Sequence, residues 1–405
     1  MKVLIDGTMA RGGGGFTYLV NILPRIAAFA PEAHFRVLVR SERVAAAIQP
    51  APNLEVELLP PAGVFGRLRF TAREAARRAR AWGADLYFSA GESAALGAHC
   101  PTIASFRNPN VFTDLDQGWS WRDRTRLQLL RAVARISALA CDRIMFVSED
   151  SASWIGDAID LPAEKRAVVY HGIDRDAWSS ASREPVYPWS YILSVSSIYR
   201  YKNFVKLIEA YAALAERRPD VPDLVIIGDD QDHEYARKME AARAATGSLS
   251  GHIHVLGEVR YADMPAWYAG ADLFVFPSHL ETFGHPLLEA MASDVPVVAA
   301  DIPVFREIAG DAAVYADPHD AGSLAGAMES VLFSLSREML LKRGRERVRE
   351  FSWDRTARRL LELFRDVVET SAAQGRSVTT HGRRSFVGLE PMPSGPGHHA
   401  RASLR

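Results

Sequence analysis

Short apolar runs recur along the chain and alternate with longer stretches of helical period. In the first half the runs are Val3–Asp6, Phe35–Val39, Leu54–Leu58, Leu86–Ser89, Ile103–Phe106 and Ile144–Ser148. Amphipathic stretches lie between them, such as Phe16–Phe29 and Arg122–Ala140. Strands covered on both faces read as continuous apolar runs. Their alternation with helices predicts a mostly parallel sheet. The rhythm breaks after His171-Gly172-Ile173-Asp174, and the stretch from Trp178 to Trp189 is rich in Ser, Pro and Arg. Alternation then restarts with Tyr191–Val195, a helix from about Asn203, and runs at Leu224–Ile227, Ile253–Leu256, Leu273–Phe276 and Val295–Ala299. This predicts an α/β chain of two Rossmann-like domains facing each other across a cleft, where a ligand should sit. The expected bounds are 1–175 for the first domain, 176–189 for a linker and 190–350 for the second domain. A helix at Ser352–Glu369, within 351–370, is expected to pack back on the first domain. Residues 371–405 carry Gly, Pro, Ser and His without apolar period and read as a disordered tail.

Composition narrows the class. At about 150 residues per domain, 405 residues suit two domains with extensions. A hydrophobic fraction of 48% and a charged fraction of 24% exclude a mostly disordered chain, a collagen-like fibre and a disulfide scaffold. Lys and Arg number 48 against 49 Asp and Glu, so no global basic field points to nucleic acid. Two cysteines, Cys100 and Cys141, give neither a disulfide framework nor a thiolate zinc cluster, and suit a reducing compartment. No apolar stretch reaches the length of about 18 residues needed for a membrane span. The start, Met1 to Asp6, lacks the apolar region and cleavage site of a secretory signal. A cytoplasmic protein is expected, with peripheral contact at the inner face of the membrane as a further expectation.

The chemistry concentrates in Pro277 to Met291. A strand precedes it, and Pro286 suits the first helical turn, where a missing N–H costs little. Glu281 then falls in the loop above the strand, and Glu289 in the first turns of the helix. Amides near Leu287 and Leu288 at the helix start can receive a diphosphate. A carboxylate at Glu289 can accept bonds from a pair of ribose hydroxyls. Glu281 can hold sugar hydroxyls and favour positive charge at a sugar carbon. Taken singly, each Glu reads as well as a helix-dipole partner or a solvated loop acid.

The spacing Glu281-x7-Glu289 within His279-Leu280-Glu281-Thr282-Phe283-Gly284 and Leu288-Glu289-Ala290-Met291-Ala292 resembles the signature of family 4 retaining glycosyltransferases of the GT-B fold. So do Pro296–Ala300 and the run Arg306 to Ala313. The resemblance is continuous over about 190–330 and weaker in the first half. It implies a nucleotide-sugar donor, a sugar or lipid-linked hydroxyl acceptor, and a role in envelope polysaccharide or glycolipid synthesis. Asp294 departs from it, since relatives usually carry glycine there.

Ser194–Asn203 follows a strand and opens a helix, with Asn203 suited to the N-cap; the resemblance assigns Lys202 within it to the donor phosphate. The physical need is a cation for the diphosphate that leaves with growing negative charge. Arg200 is the nearby substitute where some relatives place arginine beside Ser196, and it reads equally as a surface arginine. Phe283 and Gly284 are expected to approach the diphosphate and sugar through their backbone. Gly13, Gly14 and Gly15, in the run Arg11 to Phe16, would let amides approach a phosphate or sugar, or serve as a flexible loop. In the first half, Arg107 and Asn108 stand where many relatives carry a histidine loop, and are candidates for the acceptor side or for a structural turn. His171-Gly172-Ile173-Asp174 resembles the family's hinge-side turn and is read as structural.

Asp230-Gln231-Asp232 mimics the metal motif of the other large glycosyltransferase fold. It reads as a polar turn with helix-capping acids, because the two-Glu segment implies a metal-free site; no metal or other cofactor is expected. Two arginine-rich stretches remain: Arg67, Arg69, Arg73, Arg77, Arg78 and Arg80, ending at Trp82; and Trp119-Ser120-Trp121 with Arg122, Arg124, Arg126, Arg131 and Arg135. They read as solvated helix faces or as a surface for anionic lipid. The expected function is transfer of a sugar with retention of configuration. A sugar-nucleotide epimerase or hydrolase on the same fold, and a non-catalytic binding protein, are the alternatives.

Overall fold

A computed structural model describes residues 1–112, 121–180, 186–333 and 337–375. Among these, seven parallel strands form the first sheet: β1 (Lys2–Asp6), β2 (His34–Val39), β3 (Leu54–Leu58), β4 (Leu86–Ser89), β5 (Thr102–Ser105), β6 (Arg143–Phe146) and β7 (Arg166–Val168). Their spatial order is 3-2-1-4-5-6-7. Six form the second: β8 (Tyr191–Val195), β9 (Asp223–Ile227), β10 (Ile253–Val255), β11 (Leu273–Phe276), β12 (Val297–Ala300) and β13 (Ala313–Ala316), in the order 10-9-8-11-12-13. Both are doubly wound, and both reverse order beside their first strand, between β1 and β4 and between β8 and β11. The register pairs Val3 with Leu86 in one sheet and Ile192 with Leu273 in the other. Central strands such as β4 and β11 are buried at every position, which explains their unbroken apolar runs.

Two strands were not expected. β7 is three residues long and only half-buried. β13 reads Ala-Val-Tyr-Ala, with little β-branched content to mark it. The stretch expected as a linker is partly folded: a helix covers Arg175–Ser179, and Trp178 packs edge-on against Tyr261 and Tyr268 of the second domain at 5.9 and 5.3 Å. Residues 181–185 lie outside the described residues.

The helix Trp353–Ala373 returns to the first domain and lies along the helix Gly13–Phe29. Leu360, Leu361, Phe364 and Val367 join the core formed by β1, β2 and β4. Burying such side chains contributes roughly 1.5–3 kcal/mol each, so the return is firmly anchored. Arg25 pairs with Asp354 at 3.0 Å on its rim. The helix continues to Ala373, past the expected start of the tail, and 376–405 lie outside the described residues. Gly172 marks the crossing: a Cβ there would overlap the backbone of Ser352 and Trp353.

A second tie joins the domains. The Glu307 carboxylate, on the helix Pro303–Ala309, accepts from the Glu149 and Asp150 amides at 2.7 and 2.9 Å and from the Tyr170 hydroxyl at 2.7 Å. Those amides open the helix Glu149–Ala158 of the first domain, where a carboxylate complements the helix dipole. Burial and the neighbouring Glu307 raise the pKa of the Asp150 carboxyl.

Candidate active site

A cavity of about 620 Å³ lies between the domains. Its walls come from loops at the carboxyl ends of β1 and β4 on one side and of β8 and β11 on the other. These are the two places where strand order reverses, the crevices where open α/β sheets bind ligands.

On the second-domain side, Lys202 sits in a 3₁₀ turn after β8, and Glu281 in the loop after β11. The Lys202 ammonium donates to Glu281 Oε1, with both side chains about nine-tenths buried. The ammonium also faces the rings of Tyr201 and Phe276 at 5.0 and 5.4 Å. The pair lines the cavity, so a cation and an anion meet one ligand-sized space.

Glu289 is buried at the cavity edge. Its Oε2 accepts from the Tyr268 hydroxyl at 2.9 Å, and Oε1 faces His285 Nδ1 at 3.3 Å. The other ring nitrogen of His285 faces the Gly172 carbonyl at 2.9 Å, tying the site to the domain crossing. Tyr261 lines the cavity beside Glu289; burial, then the Glu289 charge, raises its pKa. A carboxylate has about four lone-pair sites, so Glu289 keeps acceptor capacity for a ligand hydroxyl.

The helix above the site spans His285–Ala292, one residue earlier than Pro286 suggested. Gly284 precedes it at φ 87°, where a side chain would be strained and a Cβ would press on Phe305. This moves the donor amides. Leu287 already donates to the Gly284 carbonyl at 2.9 Å, and Leu287 and Leu288 lie in the core behind the cavity. Phe283, Gly284 and His285 line it instead. The expected role of Leu287 and Leu288 is thus corrected by where the helix starts.

Arg200 is also placed elsewhere. Its guanidinium forks onto Asp232 at 2.9 and 3.3 Å, outside the cavity wall. Asp232 in turn caps the helix His233–Ala245 at the Tyr235 amide. Asp230 faces His233 at 2.6 Å, and Asp229 accepts from Ser197 at 2.5 Å. The Asp-Gln-Asp run is therefore occupied by caps and local pairs. Among the described residues, no group of three or more His, Cys, Asp or Glu gathers to hold a metal ion. Asn203 does not cap its helix through its side chain; it adopts φ 65° and donates to the carbonyls of Pro277 and Pro318 at 3.1 and 2.6 Å.

On the first-domain side, Gly12 to Gly15 open the helix Gly13–Phe29 and line the cavity. Gly13 has φ 54°, and a Cβ on Gly12, Gly13 or Gly14 would meet nothing within 4 Å. The glycines thus leave backbone open to the cavity rather than making room for the protein's own packing. Arg107 and Asn108 are both in the wall. Arg107 donates to the Ala90 carbonyl and rests over the Tyr18 ring at 4.6 Å; burial lowers its pKa from the ordinary arginine value. Asn108 accepts from the Asn110 amide at 3.1 Å, a turn-capping role. Glu92 accepts both amides, of Arg107 at 3.0 Å and Asn108 at 2.8 Å.

Several wall residues were not singled out from the sequence as ligand groups. His285 stands four residues before Glu289, a helical spacing that could have flagged it. Glu92 and Tyr261 carried no local signal, nor did Tyr268, which is buried behind the wall against Glu289. His171, read as structural, lines the cavity with a buried Nε2 that has no hydrogen-bond partner. Burial and the charges of Arg107 and His285 hold its pKa well below the ordinary histidine range. Thr282 bridges the cleft: its hydroxyl donates to the Arg107 carbonyl at 2.8 Å, and its carbonyl accepts from Ser148 at 2.7 Å.

Similarity to known proteins bears on this geometry. The chain is 28% identical over 278 residues to the O-antigen chain mannosyltransferase B of Escherichia coli, covering 65% of this chain and 70% of that one. It is 30% identical over 234 residues to the phosphatidyl-myo-inositol mannosyltransferase of Mycobacterium tuberculosis, covering 55% and 56%. The chain thus matches between about half and seven-tenths of the length of these curated relatives. Its fold superimposes on Anabaena Alr3699/HepE in complex with UDP-glucose with a TM-score of 0.69, at 17% identity over 90% of this chain and all of that one. The family descriptions "Glycosyltransferase Family 4" and "Glycosyl transferases group 1" match residues 12–177 and 182–347, one for each half. With both halves accounted for, the chain belongs to the family 4 glycosyltransferases and has the GT-B fold.

Proposed function

We propose that this chain moves a hexosyl group, of which mannosyl is the best candidate, from a nucleotide-sugar donor to a hydroxyl acceptor with retention of anomeric configuration. The observation that carries the reading is the meeting of Lys202, Glu281 and Glu289 in one cavity between the domains. The mannosyltransferase names of the relatives support the sugar.

In this reading Glu289 takes the ribose, and Lys202 with the Phe283–His285 backbone takes the diphosphate. The acceptor oxygen bonds to the anomeric carbon as the bond from that carbon to the diphosphate oxygen breaks, on the same face. The acceptor's proton passes to the leaving phosphate oxygen. Lys202 stabilises the charge that builds there, without a divalent cation. Glu281 lies where it can stabilise the positive charge of the sugar. Domain contact across the cleft would exclude water and limit donor hydrolysis.

No helix among the described residues is long and apolar enough to cross a membrane. The reading places the enzyme peripherally on the cytoplasmic face, building an envelope polysaccharide or glycolipid; the relatives' names support this product class.

The test is a thermal-shift panel of nucleotide diphosphates and their sugars, since ligand binding raises stability by mass action. Product analysis then follows with the ranked donor. A donor that stabilises the chain and yields an α-linked glycoside from an α-donor supports the reading. Free or isomerised sugar as the only product refutes it, as does wild-type turnover in Glu281→Ala.

A further inference from the structure

His285 opens the helix His285–Ala292 and lines the cavity, with its side chain about four-fifths buried. Its two ring nitrogens face two different acceptors. Nε2 faces the Gly172 carbonyl at 2.9 Å, and Nδ1 faces Glu289 Oε1 at 3.3 Å. A carbonyl only accepts, so Nε2 carries a hydrogen. In a neutral ring Nδ1 would then turn a lone pair toward the carboxylate oxygen. That contact is favourable only with a proton between the two atoms. The arrangement calls for an imidazolium beside a carboxylate.

Helix electrostatics do not account for a cation here. The first helical residue sits at the positive end of the dipole, where anions are the stabilising partners. The surroundings do account for it. The Trp353 ring stacks on the imidazole at 5.8 Å and 27°, within reach of a cation–π contact. His171 lies edge-on at 6.0 Å; burial and the Arg107 charge keep it neutral, so the proton falls to His285.

Charge in the cavity wall points the same way. Among the described residues, Glu92, Glu281 and Glu289 oppose only Arg107 and Lys202 there. Lys202 already pairs with Glu281, and Arg200 is committed to Asp232. A donor diphosphate adds further negative charge to this wall. Other ionisable groups around the helix are engaged elsewhere. Tyr268 donates to Glu289 Oε2, and burial holds the hydroxyls of Tyr268 and Tyr261 above the ordinary tyrosine range. Asp174 caps the helix Arg175–Ser179. On the helices Pro303–Ala309 and Arg337–Val348, Glu307 holds first-domain amides and Arg306 pairs with Asp301. Arg343, Arg345 and Arg347 pair with Asp311, Asp294 and Glu350.

Resting on the transferase reading above, we propose that His285 works as an imidazolium. The proton on Nδ1 orients the Glu289 carboxylate for the donor's ribose, and the positive charge offsets the donor's diphosphate. Donor affinity is lost as that proton leaves.

Calorimetry on the full chain measures binding of UDP-glucose and GDP-mannose between about pH 6 and 8.5, a window that spans imidazole deprotonation. His171 stays neutral across it, and burial pushes the Cys100 and Cys141 thiols up to about 12. The protonated form binds better, so wild-type affinity for at least one of these nucleotide sugars should fall as pH rises. The fall should be at least about tenfold, the scale of one hydrogen bond to a charged group. His285→Gln should bind weakly at every pH and lose the slope. His285→Arg keeps a cation that does not titrate, with donors for both acceptors. It should bind more tightly than His285→Gln at about pH 8.5 and also show no slope. A side chain that only braced the fold would give neither the slope nor the rescue by charge. Nitrogen NMR spectra of the histidine-labelled free protein need no donor. The signal missing in His285→Gln should report an imidazolium at about pH 7, where an unpaired imidazole is mostly neutral. A wild type that binds without a pH slope overturns the proposal. So does a His285→Gln variant that keeps the slope, or a His285 ring that is neutral at about pH 7. Should neither nucleotide sugar bind at any pH, the transferase reading falls and takes the donor role with it, while the spectra still judge the proton.

Discussion

Neutralising Lys202 and Glu281, singly and together, separates what their pair does for the fold from what it does for chemistry. Both side chains are about nine-tenths buried, so neither charge is fully hydrated. Lys202→Met removes the ammonium, keeps most of the volume and leaves the Glu281 carboxylate without its cation. Breaking a fully buried pair costs about 3–5 kcal/mol. The open cleft lets water reach the survivor, so the expected cost here is about 2 kcal/mol. At roughly 2–4 °C per kcal/mol for domains of this size, the melting midpoint should fall by about 4–8 °C. Glu281→Gln should cost a similar amount for the converse reason. Lys202→Met/Glu281→Gln leaves no stranded charge and should recover most of the loss. Turnover should behave differently. Each single change should cost about 10²–10³-fold, the scale for losing one group that stabilises transition-state charge, and the double variant should recover none of it. Melting curves and donor-consumption rates for the four proteins complete the cycle. A double variant as unstable as the sum of the singles would refute the coupling. A double variant with wild-type turnover would refute the catalytic assignment.

Three further outcomes follow from contacts away from the reacting atoms. Gly172→Ala places a Cβ onto the backbone of Ser352 and Trp353, where nothing can rotate aside; a loss of about 2–3 kcal/mol is expected, with faster hydrogen exchange in residues 353–373 by mass spectrometry. His171 has a folded pKa well below its ordinary 6.5, so the unfolded chain binds its proton first. The native state should therefore lose stability as pH falls below about 6.5, by up to about 1.4 kcal/mol per pH unit. His171→Gln should flatten the slope between about pH 7 and 5 relative to the wild type; His279, also depressed by burial, stays in both proteins and cancels. Glu307→Ala removes the carboxylate that caps the helix Glu149–Ala158 across the domain boundary. Exchange at the Glu149 and Asp150 amides should rise, and unchanged protection there would show that this contact does not hold the domains together.

Much of the fold was legible because both sheets are parallel and covered on both faces. Leu86–Ser89 and Leu273–Phe276 are buried at every position, so burial writes itself into the sequence as a continuous run. β13 escaped notice because its two buried positions are alanines, while Val314 and Tyr315 between them are only half-buried. Trp178 sits among Ser and Arg, and only the aromatic pocket of Tyr261 and Tyr268 reveals it as core. The site divides in the same way. Glu281 and Glu289 were readable because one local segment fixes their spacing. Arg200 was not, because its partner Asp232 lies 32 residues away and wins it by a two-pronged bond. Leu287 depended on the first residue of a helix, the least certain feature of any sequence reading. Tyr268 meets Glu289 from another helix, and no period in the chain encodes that approach.

The placement of the cavity follows from topology rather than from any single motif. In each sheet the strand order reverses beside the first strand, and loops that leave in opposite directions open a crevice there. The glycine loop leaves β1, while Ala90 to Glu92 leave β4. Lys202 follows β8 and Glu281 follows β11. Two crevices make one site only when the domains hold them face to face, and the residues that do so lie partly outside the cavity. Glu307 clamps a helix start, Thr282 bonds across the cleft, and Gly172 lets the chain cross beneath Trp353. His285 joins this frame to Glu289, since one ring nitrogen faces the Gly172 carbonyl and the other the carboxylate. A change at the crossing therefore reaches the ribose carboxylate through a single side chain, so Gly172 substitutions should weaken donor binding as well as loosen the last helix.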